Sequence, residues 1–152
     1  MGDFLTGLWQ NRILMAAIFG WLIAQVLKTI LVLVLERELK LERLFGSGGM
    51  PSSHSATVCA LAASTAVLHG PSSSQFAISA VLAFIVMYDA CNVRLETGKQ
   101  AVAIKELQQF FQDMGKAPLS EEKLKELVGH TLPQVLAGAL LGILTGVAAA
   151  LV

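Results

Sequence analysis

Charge is what this 152-residue chain has least of. Asp, Glu, Lys and Arg together make up 14% of it, against roughly 25% in soluble globular proteins. Its 11 basic and 11 acidic residues cancel to a formal net charge of zero. A balanced chain offers no basic face to a phosphodiester backbone, so composition argues against nucleic acid as a partner. Cysteine is scarce as well. Cys59 and Cys91 lie in or beside apolar segments, without zinc-ligand spacing or a partner motif, and read as packing residues. A cleavable leader is not expected either. The first apolar run begins near Ile13, lasts about twice a signal h-region, and has no small-residue cleavage site after it.

What remains is apolar. Hydrophobic residues make up 55% of the chain and the mean hydropathy is +0.66. A domain this small cannot hide that much apolar surface, so lipid must be part of its solvent. The pattern predicts an all-α polytopic membrane protein, a single membrane-embedded domain over residues 1–152. Four spans are expected at 13–35, 53–68, 75–93 and 131–152, with a polar helical loop over 94–130. The second span is rich in Ala and Ser, and the fourth carries Gly138, Gly142 and Gly146 at a four-residue period. Small side chains let helix backbones approach closely in lipid, so both read as inner helices.

Within the polar loop, Ala103, Leu107, Phe110, Phe111 and Met114 recur at helical spacing, which predicts an amphipathic helix at the interface. A second short helix is expected to start at Ser120, with Glu121 and Glu122 in its first turn. Arg37, Lys40 and Arg43 lie in the first loop; Arg94, Lys99, Lys105, Lys116, Lys123 and Lys125 lie in the third. By the positive-inside rule these loops face the cytoplasm, and both termini lie opposite, in a cell (inner) or organellar membrane. His54, Asp89, Arg94 and His130 then share one face.

The stretch Gly48-Gly49-Met50-Pro51-Ser52-Ser53-His54-Ser55 leads a glycine-bearing loop into a helix start. Free backbone N–H groups and the positive helix end make such a place an anion site, with Ser52 or Ser53 as cap and His54 placed to donate a proton. A capped turn with a surface histidine fits the same residues. Gly129-His130-Thr131 repeats the theme before the last helix. Lys28 lies about two turns inside the first span, where a charge is expensive unless solvated or paired. It either snorkels to the interface or serves as a phosphate counter-charge. Asp89 poses a parallel choice between a structural ion pair and a catalytic role.

Gly-Gly-Met-Pro-Ser-Ser-His-Ser, Tyr-Asp-Ala-x-x-Val-Arg followed by Gly-Lys-Gln-Ala, and Gly-His-Thr before a glycine-rich helix carry a resemblance. From Gln25-x-x-Lys28 to Gly142 the chain resembles the acid phosphatase/vanadium-dependent haloperoxidase-related family, a divergent branch of the type 2 phosphatidic acid phosphatases. The resemblance implies hydrolysis of a membrane lipid phosphate, isoprenoid or glycerolipid, with no metal and no cofactor. His130 would be the nucleophile, His54 the acid, and Lys28 a phosphate ligand. Arg37, Ser52, Ser53 and Arg94 are further phosphate candidates, and Asp89 a catalytic one.

The chain departs from the superfamily pattern at several points. Ser53 stands for a glycine, and Arg37 follows Lys28 at nine positions instead of seven. Leu124 occupies the place of an arginine, and Gln134 that of the aspartate which orients the nucleophile. A membrane protein that keeps the headgroup pocket without turnover is the alternative reading.

Overall fold

A computed structural model describes residues 2–37, 49–115 and 129–152. Every regular element among them is a helix: α1 Gly2–Gln10, α2 Arg12–Glu36, α3 Ser53–His69, α4 Ser74–Cys91, α5 Val93–Asp113 and α6 Leu132–Leu151. The expected spans match α2, α3, α4 and α6 closely. The helix expected from Ser120 lies outside the described residues. Three helices are long and apolar enough to cross a membrane: α2, the run through α4, and α6. The expectation of four spans is thus met for three. The 17-residue α3 reaches about 25 Å, short of the ~30 Å hydrocarbon core.

What α3 lacks in length it has in burial. Ser53, Ser55, Ala56, Val58, Cys59, Ala60, Ser64 and Thr65 are all buried on it. Their small size is what admits neighbours on several sides. Against one side lies the glycine stripe of α6. A Cβ on Gly142 would stand 2.9 Å from both the Ala56 Cα and the Cys59 Cβ, and one on Gly146 would stand 2.9 Å from the Ala60 Cα. Gly138 meets the Ser52 backbone in the same way. Glycine thus brings α6 against the α3 backbone at three successive turns, and the two helices run parallel. On another side Gly20 of α2 is as tight, where a Cβ would lie 2.9 Å from the Ala60 Cβ. With no water to exclude between helices in lipid, this close approach supplies the dispersion contacts that hold the bundle.

α2 runs antiparallel to α6, and the Arg12 guanidinium donates to the Val152 carbonyl at 3.0 Å. α4 packs on α3 and continues, past a break at Asn92, into α5, which among the described elements packs only on α4. Of the apolar stripe expected there, Leu107 and Phe110 are exposed on α5 and Met114 at its C-cap. α1 was not foreseen. Asn11 ends it and caps α2, its side chain accepting from the Leu14 N–H at 3.0 Å. Phe4, Leu5 and Trp9 of α1 are exposed.

Candidate anion site

The Lys28 turn of α2, the start of α3, the end of α4 and the start of α6 meet at one end of the bundle. At the start of α3, Gly49 takes φ +82°, a left-handed conformation that glycine adopts without a side-chain penalty. The Met50–Pro51 peptide bond is cis. Ser52 is the N-cap. Its Oγ accepts from the Ser55 N–H at 3.4 Å and from the Ser55 hydroxyl at 3.1 Å, and its own N–H donates to the Gln134 carbonyl at 3.0 Å. Ser52 therefore ties the loop to α6 as well as capping α3. Ser53 is buried in the first turn, and His54, next along, is exposed.

At the start of α6, Gly129 has φ +97° and lies so close to the backbone of Arg94 and Leu95 that no Cβ fits. The His130 N–H donates to the Ala90 carbonyl at 2.9 Å, which pins this loop to the end of α4. The His130 side chain turns inward and is only 2% exposed. Its ring meets that of His54 edge-on, with centroids 6.2 Å apart and planes at 75°. Both ring nitrogens of His130 are buried and have no hydrogen-bond partner among the described residues. An unsatisfied buried polar group is rare in folded proteins and marks a place built for something besides packing. Burial, then the charges of Lys28, His54 and Arg94, push the His130 pKa down to about 4. Its imidazole is neutral at neutral pH and keeps a free lone pair.

Lys28 does not snorkel. It is 1% exposed, and its Nζ donates to Gln25 Oε1 at 2.9 Å. Its aliphatic stem runs beneath the α3 loop, since a Cβ on Gly49 would touch Lys28 Cγ and Cδ at 3.4 Å. The first-span lysine and the loop segment from Gly49 are therefore neighbours in space. Asp89 and Arg94 form an ion pair with Nε–Oδ2 of 2.6 Å, partly exposed. Arg37, in contrast, sits exposed at the C-cap of α2 with φ 54°, and no described hydrogen bond or ion pair joins it to the histidines. The structure thus gathers Lys28, the Ser52–Ser53 loop, His54 and His130, sets the Asp89–Arg94 pair beside them, and leaves Arg37 apart. No group of three His, Cys, Asp or Glu side chains suited to a metal ion occurs among the described residues.

Gln134, the residue in the place of the orienting aspartate, is already engaged. Its side chain accepts from the Thr131 N–H at 3.0 Å, reaching back to cap α6. Thr-Leu-Pro-Gln is the S/T-x-x-E/Q signature of a capping box, a signal legible in the sequence and passed over there.

A helical membrane bundle with paired histidines at one end defines the class, and comparison with known proteins names the family. The chain belongs to the Divergent PAP2 family, whose family model matches residues 9–145. It is similar to a protein of Bacillus subtilis (strain 168), "Uncharacterized membrane protein YuiD", at 41% identity over 143 residues, covering 88% of this chain and 90% of that protein. No solved structure matches.

Proposed function

We propose that this protein is a metal-independent phosphatase that cleaves a phosphate or pyrophosphate ester of a membrane lipid. The observation that carries the reading is the buried, unpartnered His130 ring set 6.2 Å from His54 and beside the buried cation of Lys28. The neutral ring nitrogen of His130 attacks phosphorus, forming an N–P bond as the ester P–O bond breaks. His54 in its protonated form gives its proton to the departing lipid oxygen. Neutral His54 then takes a proton from water, the resulting hydroxide attacks phosphorus, and the N–P bond breaks to release phosphate. Lys28 and the N–H groups at the α3 start balance charge on the phosphoryl oxygens.

Support for a lipid substrate comes from an open cleft of about 400 Å³ between α3, α4 and α6. Cys59, Ala62, Ala66, Phe76, Ile143 and Val147 line it, and every accessible atom there is apolar. It begins about a turn and a half along α3 from His54, within reach of an isoprenoid or acyl chain whose headgroup lies at the histidines.

One observation favours a second reading, a non-catalytic pocket for phosphate headgroups. The Gln134 side chain caps α6 and the Asp89 carboxylate pairs with Arg94, so neither is shown orienting the His130 ring. Phosphate release by the purified protein in detergent, measured on a panel of lipid phosphates with EDTA present, separates the two. Turnover supports the phosphatase. Vanadate binding without turnover on any member of the panel rejects it in favour of the pocket. Absence of both sinks the anion site itself.

A further inference from the structure

α1 is open along most of its surface. Residues 3–10 are all exposed, and among the described elements α1 packs only on α2. A helix of nine residues is marginal in water by itself, so a second surface must hold it. At about 100° per residue, Phe4, Leu8, Leu5 and Trp9 fall on one arc of about 140°, while Asp3, Thr6 and Gln10 fall on the other side. Such an arc suits a protein partner as well as lipid, and placement decides between them. At about 13 Å, α1 is too short to cross the ~30 Å hydrocarbon core. Only Asn11 separates it from α2, so it lies where that apolar span reaches the membrane surface. Trp9 also shares an open recess of about 300 Å³ with Met15 and Phe19 of α2 and Ala149 of α6. These neighbours sit at the ends of two helices apolar enough to cross a membrane, so the recess lies at the depth of acyl chains. Arg12 borders it too, and Trp with Arg is the pairing that anchors helix ends at a lipid interface.

We infer that α1 is a membrane-surface anchor, lying in the lipid interface at the end of the bundle opposite the histidines, with Phe4, Leu5, Leu8 and Trp9 turned into the acyl boundary. Trp9 reports on it directly. The chain has two tryptophans, so Trp21→Phe leaves Trp9 as the single emitter. The full-length variant is placed in phosphatidylcholine vesicles whose acyl chains carry bromine either near the glycerol or near the bilayer midplane. Trp9 emission should be quenched more by the shallow bromines than by the deep ones, and little by iodide present on both sides. Leu5→Glu and Gln10→Glu add the same charge on opposite arcs. Leu5→Glu should cut the bromine quenching about twofold or more and admit iodide, while Gln10→Glu should change neither. Iodide quenching at the level of free tryptophan overturns the inference, as do deep bromines outdoing shallow ones or equal effects of the two Glu variants. Protection from iodide without bromine quenching puts a protein surface on α1 and overturns it as well. Should Trp21→Phe fail to fold, the difference in emission between wild type and Trp9→Phe reads the same ring.

Discussion

The starts of α3 and α6 use the same parts to opposite ends. Each has a glycine at positive φ, a hydroxyl residue at the N-cap and a histidine within two residues of that cap. In α3 the histidine follows the cap and lies on the exposed side; in α6 it precedes the cap and is folded inward. One residue slides along the helix start and the other is trapped beneath it. Position relative to the cap, more than residue type, therefore decides which imidazole is the more deeply buried. The deeper His130 ring is held neutral and nucleophilic by its burial, while His54 lies on the exposed side of its helix. The division of labour proposed for the pair follows from that difference.

The largest test of this contrast is chemical. Replacing His130 with Ala should lower kcat by about a thousandfold or more, since the covalent route is lost. His54→Ala should cost less on substrates with good leaving groups and most on poor ones, which need the proton. Parallel losses for both variants across a series of leaving groups would erase the distinction between the two rings.

Backbone effects come next. Gly129→Ala forces φ +97° on alanine and drives its Cβ into the Leu95 backbone, and should cost about 3 kcal/mol. Gly49→Ala meets only the flexible stem of Lys28 at 3.4 Å, and should cost about 1 kcal/mol. Thermal melting in detergent compares them, and equal midpoints would place the two loops under equal constraint.

A third test is pH. His130 has a folded pKa of about 4 against 6.5 for the free side chain. Above pH 6.5 both states are neutral and the group contributes nothing. Between 6.5 and 4 the unfolded chain binds a proton that the folded one refuses, so stability falls as pH falls, by about 2 kcal/mol near pH 5. His130→Gln should flatten that part of the stability–pH curve, and an unchanged slope would mean that His130 is already solvated. The smallest effect is expected from Gln134→Asp. A carboxylate still caps α6, and its charge favours the imidazolium-like state of His130, so turnover should rise about tenfold or less. A fall would mean that the Gln134 cap matters more to the site than the missing charge does.

Much of the fold was legible because lipid imposes length. Spans expected at 13–35, 75–93 and 131–152 became Arg12–Glu36, Ser74–Cys91 and Leu132–Leu151. The inner position of the Ala/Ser segment and of the glycine stripe also followed from side-chain size. α1 escaped notice because its four large apolar residues, Phe4, Leu5, Leu8 and Trp9, occupy too short a run to register as a span. At the site, the nearness of His54 and His130 could be reasoned from consecutive same-side helix ends. The inward turn of His130 could not, because it depends on Gly129 seating against Leu95 and on the Ala90 carbonyl, contacts distant in sequence. Arg37 was grouped with the site by its spacing from Lys28, yet nine residues of helix carry it about 13 Å further along α2.

The glycine seam has a consequence for how the molecule comes into being. α3 is less apolar than α2, α4 and α6, and its backbone is matched to Gly138, Gly142 and Gly146, which are synthesised much later. Until α6 arrives, α3 presents serines and carbonyl oxygens to whatever surrounds it, and the loop at Ser52 has no Gln134 carbonyl to bond. Assembly of the seam also delivers His130 to His54. The histidine pair is therefore completed only when α6 joins α3, and a ribosome stalled before Leu132 leaves behind a chain with neither seam nor pair.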